Sequence, residues 1–119
     1  IKTLEPQVAS IIIDLLGKIT GIVIKNNQVI EHLIRQSLLG ADKSKSYFIR
    51  LSEEEYKLIN EHKEQFEEIV GKDTEIEFAI DKNLKKNQCL IETDSGIIDC
   101  SLDVQLNNLY ESIRLLAET

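Results

Sequence analysis

The stretch Cys89-Leu-Ile-Glu-Thr-Asp-Ser-Gly-Ile-Ile-Asp-Cys-Ser-Leu102 constrains the fold more tightly than any other part of the chain. Two short apolar runs flank a tight turn at Asp94-Ser95-Gly96, which is the pattern of a β-hairpin. With a four-residue turn, Cys89 falls opposite Cys100 and Ile91 opposite Ile98, all on one face. The second strand runs directly into a helix whose first turn holds Ser101 and Asp103. Leu102, Leu106, Leu109, Ile113 and Leu116 then repeat at four-and-three spacing, so this stripe is expected to face the sheet.

The preceding segments supply the partners that such a hairpin needs. Leu4, Val8, Ile11, Ile12, Leu15 and Ile19 fall at helical spacing, with Pro6 where a first turn tolerates it. Asn26-Asn27 marks a break, and Val29, Leu33, Ile34 and Leu38 form a second amphipathic stretch ending at Gly40, read as a left-handed cap. These two segments predict a helical hairpin. Tyr47, Ile49 and Leu51 alternate with Phe48 and Arg50, as a half-buried strand requires. Ser52-Glu53-Glu54-Glu55 is a capping box, in which the Ser52 hydroxyl accepts the Glu55 amide and the Glu55 carboxylate reaches back. The helix it opens is expected to run through Tyr56, Ile59, Phe66, Ile69 and Val70 to Gly71. Ile76, Phe78 and Ile80 alternate again. The order predicts an α+β fold, an N-terminal helical hairpin followed by a β-α-β-β-α unit with a small mixed sheet. Residues 1–45 are read as the helical segment and 46–119 as the β-α-β-β-α domain.

The chain has 119 residues, within the size of one domain. Its net charge of −7 argues against a nucleic-acid groove, which needs clustered Lys and Arg. Lys43/Lys45 and Lys82/Lys85/Lys86 are short basic clusters without interleaved aromatics, and read as solvated loops. Two cysteines do not make a secreted disulfide scaffold. Ile1 stands where an initiator Met would, which predicts a fragment or processed piece. Glu5 and Asp14 interrupt the apolar N-terminal segment, and no run reaches membrane-spanning length. The expectation is a soluble, cytoplasmic chain.

Candidate chemistry is sparse. Cys89 and Cys100 are neighbours in the predicted register, but no CxxC motif or sequence-near cation lowers their pKa, and packing explains them. His32 and His62 lack the spacing of a zinc site. Glu53, Glu54, Glu55, Glu61, Glu64, Glu67 and Glu68 read as a solvated helix face. No phosphate-binding or nucleophile-elbow motif occurs. Neither catalysis nor a cofactor is expected.

Apolar residues off the expected core faces are more informative. Val104 and Leu115 lie eleven residues apart, about three turns, and share the face opposite the main stripe. Leu90 and Ile97 project away from the Cys89/Ile91/Ile98/Cys100 face of the hairpin. Either the N-terminal helical hairpin covers the strand side as a second layer, or these residues form a docking patch. Leu90, Ile97, Val104 and Leu115 are therefore the candidate partner-binding residues.

This sequence of elements resembles the C-terminal domain of the flagellar assembly protein FliH and the related type III secretion stators. The matching pattern is Tyr47–Leu51 and its following helix, Glu75–Asp81, Cys89-Leu-Ile-Glu-Thr, Gly96-Ile-Ile-Asp-Cys and Leu102–Leu116. It is most specific from Asp81 to Leu109. Asn87-Gln88 stands where the family usually has Gly-Gly, and Ser52 where Pro is frequent; Asn tolerates a left-handed backbone. The resemblance implies a non-catalytic, dimeric stator that holds the N-terminal segment of an export ATPase, restrains it and helps deliver it to the export gate. It implies further flagellar or secretion partners, bound through an N-terminal region not seen here, and only indirect membrane association. Gly96 would serve the turn, and Asp99 a structural hydrogen bond. Two other readings are the E-type peripheral stalk subunit of a V-type ATPase, and a thiol enzyme or redox sensor using Cys89 and Cys100.

Overall fold

A computed structural model describes residues 5–23 and 29–117, with no account of the side chains at 20–23. Leu4 and the expected break at Asn26-Asn27 lie outside the described residues. The elements are α1 (Pro6–Val23), α2 (Val29–Gly40), β1 (Ser46–Leu51), α3 (Glu53–Asn60), α4 (Lys63–Val70), β2 (Glu75–Ile80), β3 (Cys89–Thr93), β4 (Gly96–Asp99) and α5 (Leu102–Ala117). The strands form one mixed sheet in the order β2-β1-β3-β4. β1 and β2 are parallel, as their α3–α4 crossover demands, and β1/β3 and β3/β4 are antiparallel. The expected α+β class is the observed one.

Alternation in the strands decides which sheet face is buried. Tyr47, Ile49, Leu51, Ile76, Cys89 and Ile91 share a face with almost no exposure. Against it pack Ile30, Ile34 and Leu38 of α2, Ile59 of α3 and Phe66 of α4. Phe66 meets Phe78 of β2 edge to face, with ring centroids 5.6 Å apart. The residues of the other face are half-buried or exposed. There Arg50 sits 5.2 Å above the Phe48 ring and binds Glu92 at 2.9 Å.

The helices depart from expectation in four ways. First, among the described residues α1 packs along α5, while α2 covers the core face of the sheet. Second, α5 packs along α1, and its leucine stripe is only partly buried. Ile113 is buried, but Leu109 and Leu116 stay exposed, because an apolar stripe specifies an apolar neighbour and not which one. Third, the long central helix divides at Glu61-His62, where the His62 amide bonds Ile59 O at 2.9 Å in a tighter turn. Ile59 and Phe66 nevertheless both reach the core. Fourth, Gly40 ends α2 without a left-handed backbone, whereas Gly71 ends α4 at φ 93°.

Candidate functional site

The hairpin meets its helix in a buried polar junction that sets the direction of α5. Register pairs Thr93 with Gly96 and Ile91 with Ile98, and the Cys100 amide bonds Cys89 O at 3.0 Å. Gly96 takes φ 132°, a conformation open to glycine because it has no Cβ. Asp99 Oδ1 accepts the Ser101 amide at 3.0 Å, the structural hydrogen bond expected of it. Ser101 Oγ in turn accepts the Cys89 amide at 3.0 Å, and the Leu102 amide bonds Asn87 O at 2.9 Å. The start of α5 is thus held by backbone and side-chain groups from both hairpin strands and from the turn before them.

Glu55 ties α3 into the same junction. Its carboxylate accepts the Ser52 hydroxyl at 3.0 Å and, through both oxygens, the Asn87 amide at 3.0 and 3.2 Å. Ser52 Oγ accepts the Glu55 amide at 3.4 Å, so one half of the capping box forms as expected. The other half is redirected: the carboxylate serves the Ser52 hydroxyl and a turn 32 residues away. Asn87 holds the left-handed backbone that the turn requires, at φ 64°. Burial raises the Glu55 pKa, opposed by the Ser52 and Asn87 hydrogen bonds and by the charge of Lys86. Sequence reading found the cap but not this link, since nothing local couples Glu55 to Asn87.

The cysteines lie at the centre of the junction. Both are free thiols with no exposed surface. The Cys100 thiol beside Cys89, and then burial, push the Cys89 pKa far up, the reverse of what a reactive thiolate needs. Among the described residues no group of three or more His, Cys, Asp and Glu is placed to hold a metal ion. His62 lies 3.6 Å from a Glu31 oxygen, and both histidines are exposed.

The four candidate docking residues fall into two pairs. Leu90 and Ile97 share the open sheet face, in the rows Arg50–Leu90–Asp99 and Phe48–Glu92–Ile97. Leu90 is half-buried there, and Ile97 is 66% exposed. Among the described residues of the N-terminal segment, α2 lies on the opposite face and α1 packs along α5. On α5, Val104 is half-buried and Leu115 is 65% exposed. A separate groove runs between α2, β4 and α5, lined by His32, Leu33, Gln36, Gly40, Ala41, Ile98 and Gln105. Sequence reading missed a further apolar surface. Val8, Ile11, Leu15 and Ile19 of α1 are 41–59% exposed. The signal was present: apolar residues occupy more than half of the α1 helical wheel, more than one seam can bury.

The geometry defines a class: a small mixed-sheet domain whose buried polar groups serve structure and whose apolar outliers face outward. The family model of the flagellar assembly protein FliH matches residues 1–109. The chain belongs to the FliH family and acts in flagellar assembly. No curated protein matches it. No helix among the described residues is long and apolar enough to cross a membrane.

Proposed function

We propose that this chain is a non-catalytic cytoplasmic stator that binds the N-terminal segment of the flagellar export ATPase. It restrains that ATPase and aids its delivery to the export gate, and it works as a homodimer. The observation that carries this reading is the family match across residues 1–109. The buried, high-pKa thiols support a docking role over a redox one. The family match favours export over the peripheral-stalk alternative. The mechanism is capture of an amphipathic ATPase helix on apolar outliers of the fold. Val104 and Leu115 form one contact strip, with Leu90 and Ile97 as a second contact on the open sheet face. Residues 46–119 form the docking unit, with residues 1–45 leading into it.

The experiment is size-exclusion chromatography with light scattering of this chain mixed with the cognate export ATPase. Co-elution at a defined mass is expected. Val104→Asp combined with Leu115→Asp is expected to retain the wild-type circular-dichroism spectrum and to weaken binding at least tenfold, about 1.4 kcal/mol. A folded double variant with undiminished affinity would sink the strip assignment. Absence of any complex with wild type would sink the stator reading.

A further inference from the structure

β4 ends the sheet, and among the described residues it has a strand neighbour on one side only. The Cys100 amide bonds Cys89 O, and the register repeats that bonded position at Ile98–Ile91 and Gly96–Thr93. The main-chain groups of Ile97 and Asp99 therefore point away from β3, off the free edge. Each offers one N–H and one C=O to an added strand. A helical partner cannot use them, because its own backbone groups are bonded internally.

The groove between α2, β4 and α5 lies along the same edge, on the core side of the sheet. It holds about 440 Å³, with Leu33 and Ala41, Ile98 of β4 and Gln105 of α5 among its walls. A second cleft shares Ala41 and Ile98 and continues past Asp42 and Ile97 to the hairpin turn. A strand laid on β4 places alternate side chains on the two faces of the sheet. One set enters the groove against Leu33, Ala41 and Ile98, where small β-branched side chains fit. The other set lies on the opposite face, beside Ile97 and Asp99.

Charge selects that second set. From Asn87 to Ile113 the chain carries Glu92, Asp94, Asp99, Asp103 and Glu111 and no Lys or Arg. Arg50 meets Glu92, but Asp94, Asp99 and Asp103 have no ion-pair partner among the described residues. A second copy laid on this edge brings the same carboxylates together, which disfavours pairing between copies. A Lys or Arg beside Asp99 is favoured instead.

We propose that the β4 edge docks an extended, basic segment of another protein as a fifth strand, with Val, Ile or Thr alternating with Lys or Arg. Main-chain bonds to Ile97 and Asp99 hold the segment, and the groove fixes the face its apolar side chains take. The acidic hairpin selects its charge. This site is distinct from the Val104–Leu115 strip and goes beyond the stator reading.

A capped heptapeptide of alternating Lys and Val, titrated into the isotope-labelled chain and followed by nuclear magnetic resonance, tests it. Binding is expected to saturate below about 1 mM. The Ile97 and Asp99 amide signals should move more than that of Ile98, whose amide faces β3. Only one class of peptide amide, Lys or Val according to strand direction, faces β4. Two N-methylated peptides, one per class, are therefore expected to differ: one binds at least about tenfold more weakly and the other within about twofold of the parent. Replacing Lys by Glu is expected to weaken binding at least about tenfold. Ile97→Pro removes an edge amide and spares the β3–β4 ladder, so it should show a similar loss with an unchanged circular-dichroism spectrum. If that variant does not fold, the methylated pair on wild type decides. Equal tolerance or equal loss of the two methylated peptides would overturn strand addition. Undiminished binding of the Glu peptide would overturn the basic partner, and no binding of the parent would overturn the site. A doubled mass with shifted edge amides in the absence of peptide would give the edge to a second copy and overturn the proposal. None of these outcomes touches co-elution with the export ATPase, so the two readings fail separately.

Discussion

Glu55, in the first turn of α3, accepts the backbone amide of Asn87 through both carboxylate oxygens, at 3.0 and 3.2 Å. Through that contact a helix cap also holds the left-handed turn that launches β3. Since Asn87 O receives the first amide of α5, three elements share one short chain of hydrogen bonds. The unit that delivers α5 outward is therefore anchored on the far side of the core.

Removing the carboxylate should be costly. Glu55→Ala leaves a buried amide and a buried hydroxyl without their acceptor and is expected to destabilise the chain by about 2–3 kcal/mol. Urea titration followed by circular dichroism measures it. A loss below about 0.5 kcal/mol would show that water replaces the carboxylate at little expense.

The same residue predicts a pH dependence. Its folded-state pKa is raised above the ordinary 4.5, with burial the leading cause. The protonated form is thus favoured by folding. The stabilisation linked to this group is complete below 4.5 and is lost as pH rises through the folded-state value. Glu55→Gln removes the titration. The stability of wild type minus that of Glu55→Gln is expected to fall with rising pH, and a difference that rises or stays flat contradicts the burial argument.

Phe66 is fully buried at the meeting point of α2, α4 and β2. Phe66→Ala is expected to cost about 3–5 kcal/mol, the range for a large aromatic removed from a packed core. Thermal unfolding checks it, and the folded baseline should keep its secondary structure.

Two glycines give opposite signs. Gly71 has φ 93° and ψ 166°, and a Cβ there would meet no neighbour within 4 Å. Gly71→Ala is therefore penalised by backbone strain alone, by about 1–3 kcal/mol. Gly40 also has open space, but lies at the end of α2 without a positive φ. Gly40→Ala should stabilise by about 0.4–1 kcal/mol. Matching effects at the two positions would show that φ is not what separates them.

Thiol labelling separates docking from redox chemistry. Cys89 and Cys100 have no exposed surface, so modification at neutral pH should follow the rate at which the domain opens. Both thiols should become reactive together as denaturant is raised. Rapid labelling of one thiol in the folded chain would restore the redox reading.

What the sequence disclosed follows the range of the interactions. Tyr47, Ile49 and Leu51 announced a buried strand face because neighbours in a strand alternate, and the Cys89–Cys100 pairing followed from the turn. The division between α3 and α4 was hidden because Ile59 and Phe66, seven residues apart, keep one helical phase across the break. The destination of α5 was hidden for another reason: its stripe suits the sheet and α1 equally. Of the candidate docking residues, the outward placement of Leu90 and Ile97 was legible from the two-residue period. The α1 surface required knowing which flank α5 takes.

Ala9 and Ile13 of α1 lie beside Arg114 and Ala117 of α5, an antiparallel seam that also fixes how the chain bears load. Force applied between the start of α1 and the end of α5 meets contacts in single file, beginning at Ala9 and Ala117. The seam peels one turn at a time, whereas the hydrogen-bond ladder between β1 and its two neighbours yields only by many bonds breaking at once. Because the seam bridges the two loaded ends, it shields the sheet from tension until it has opened.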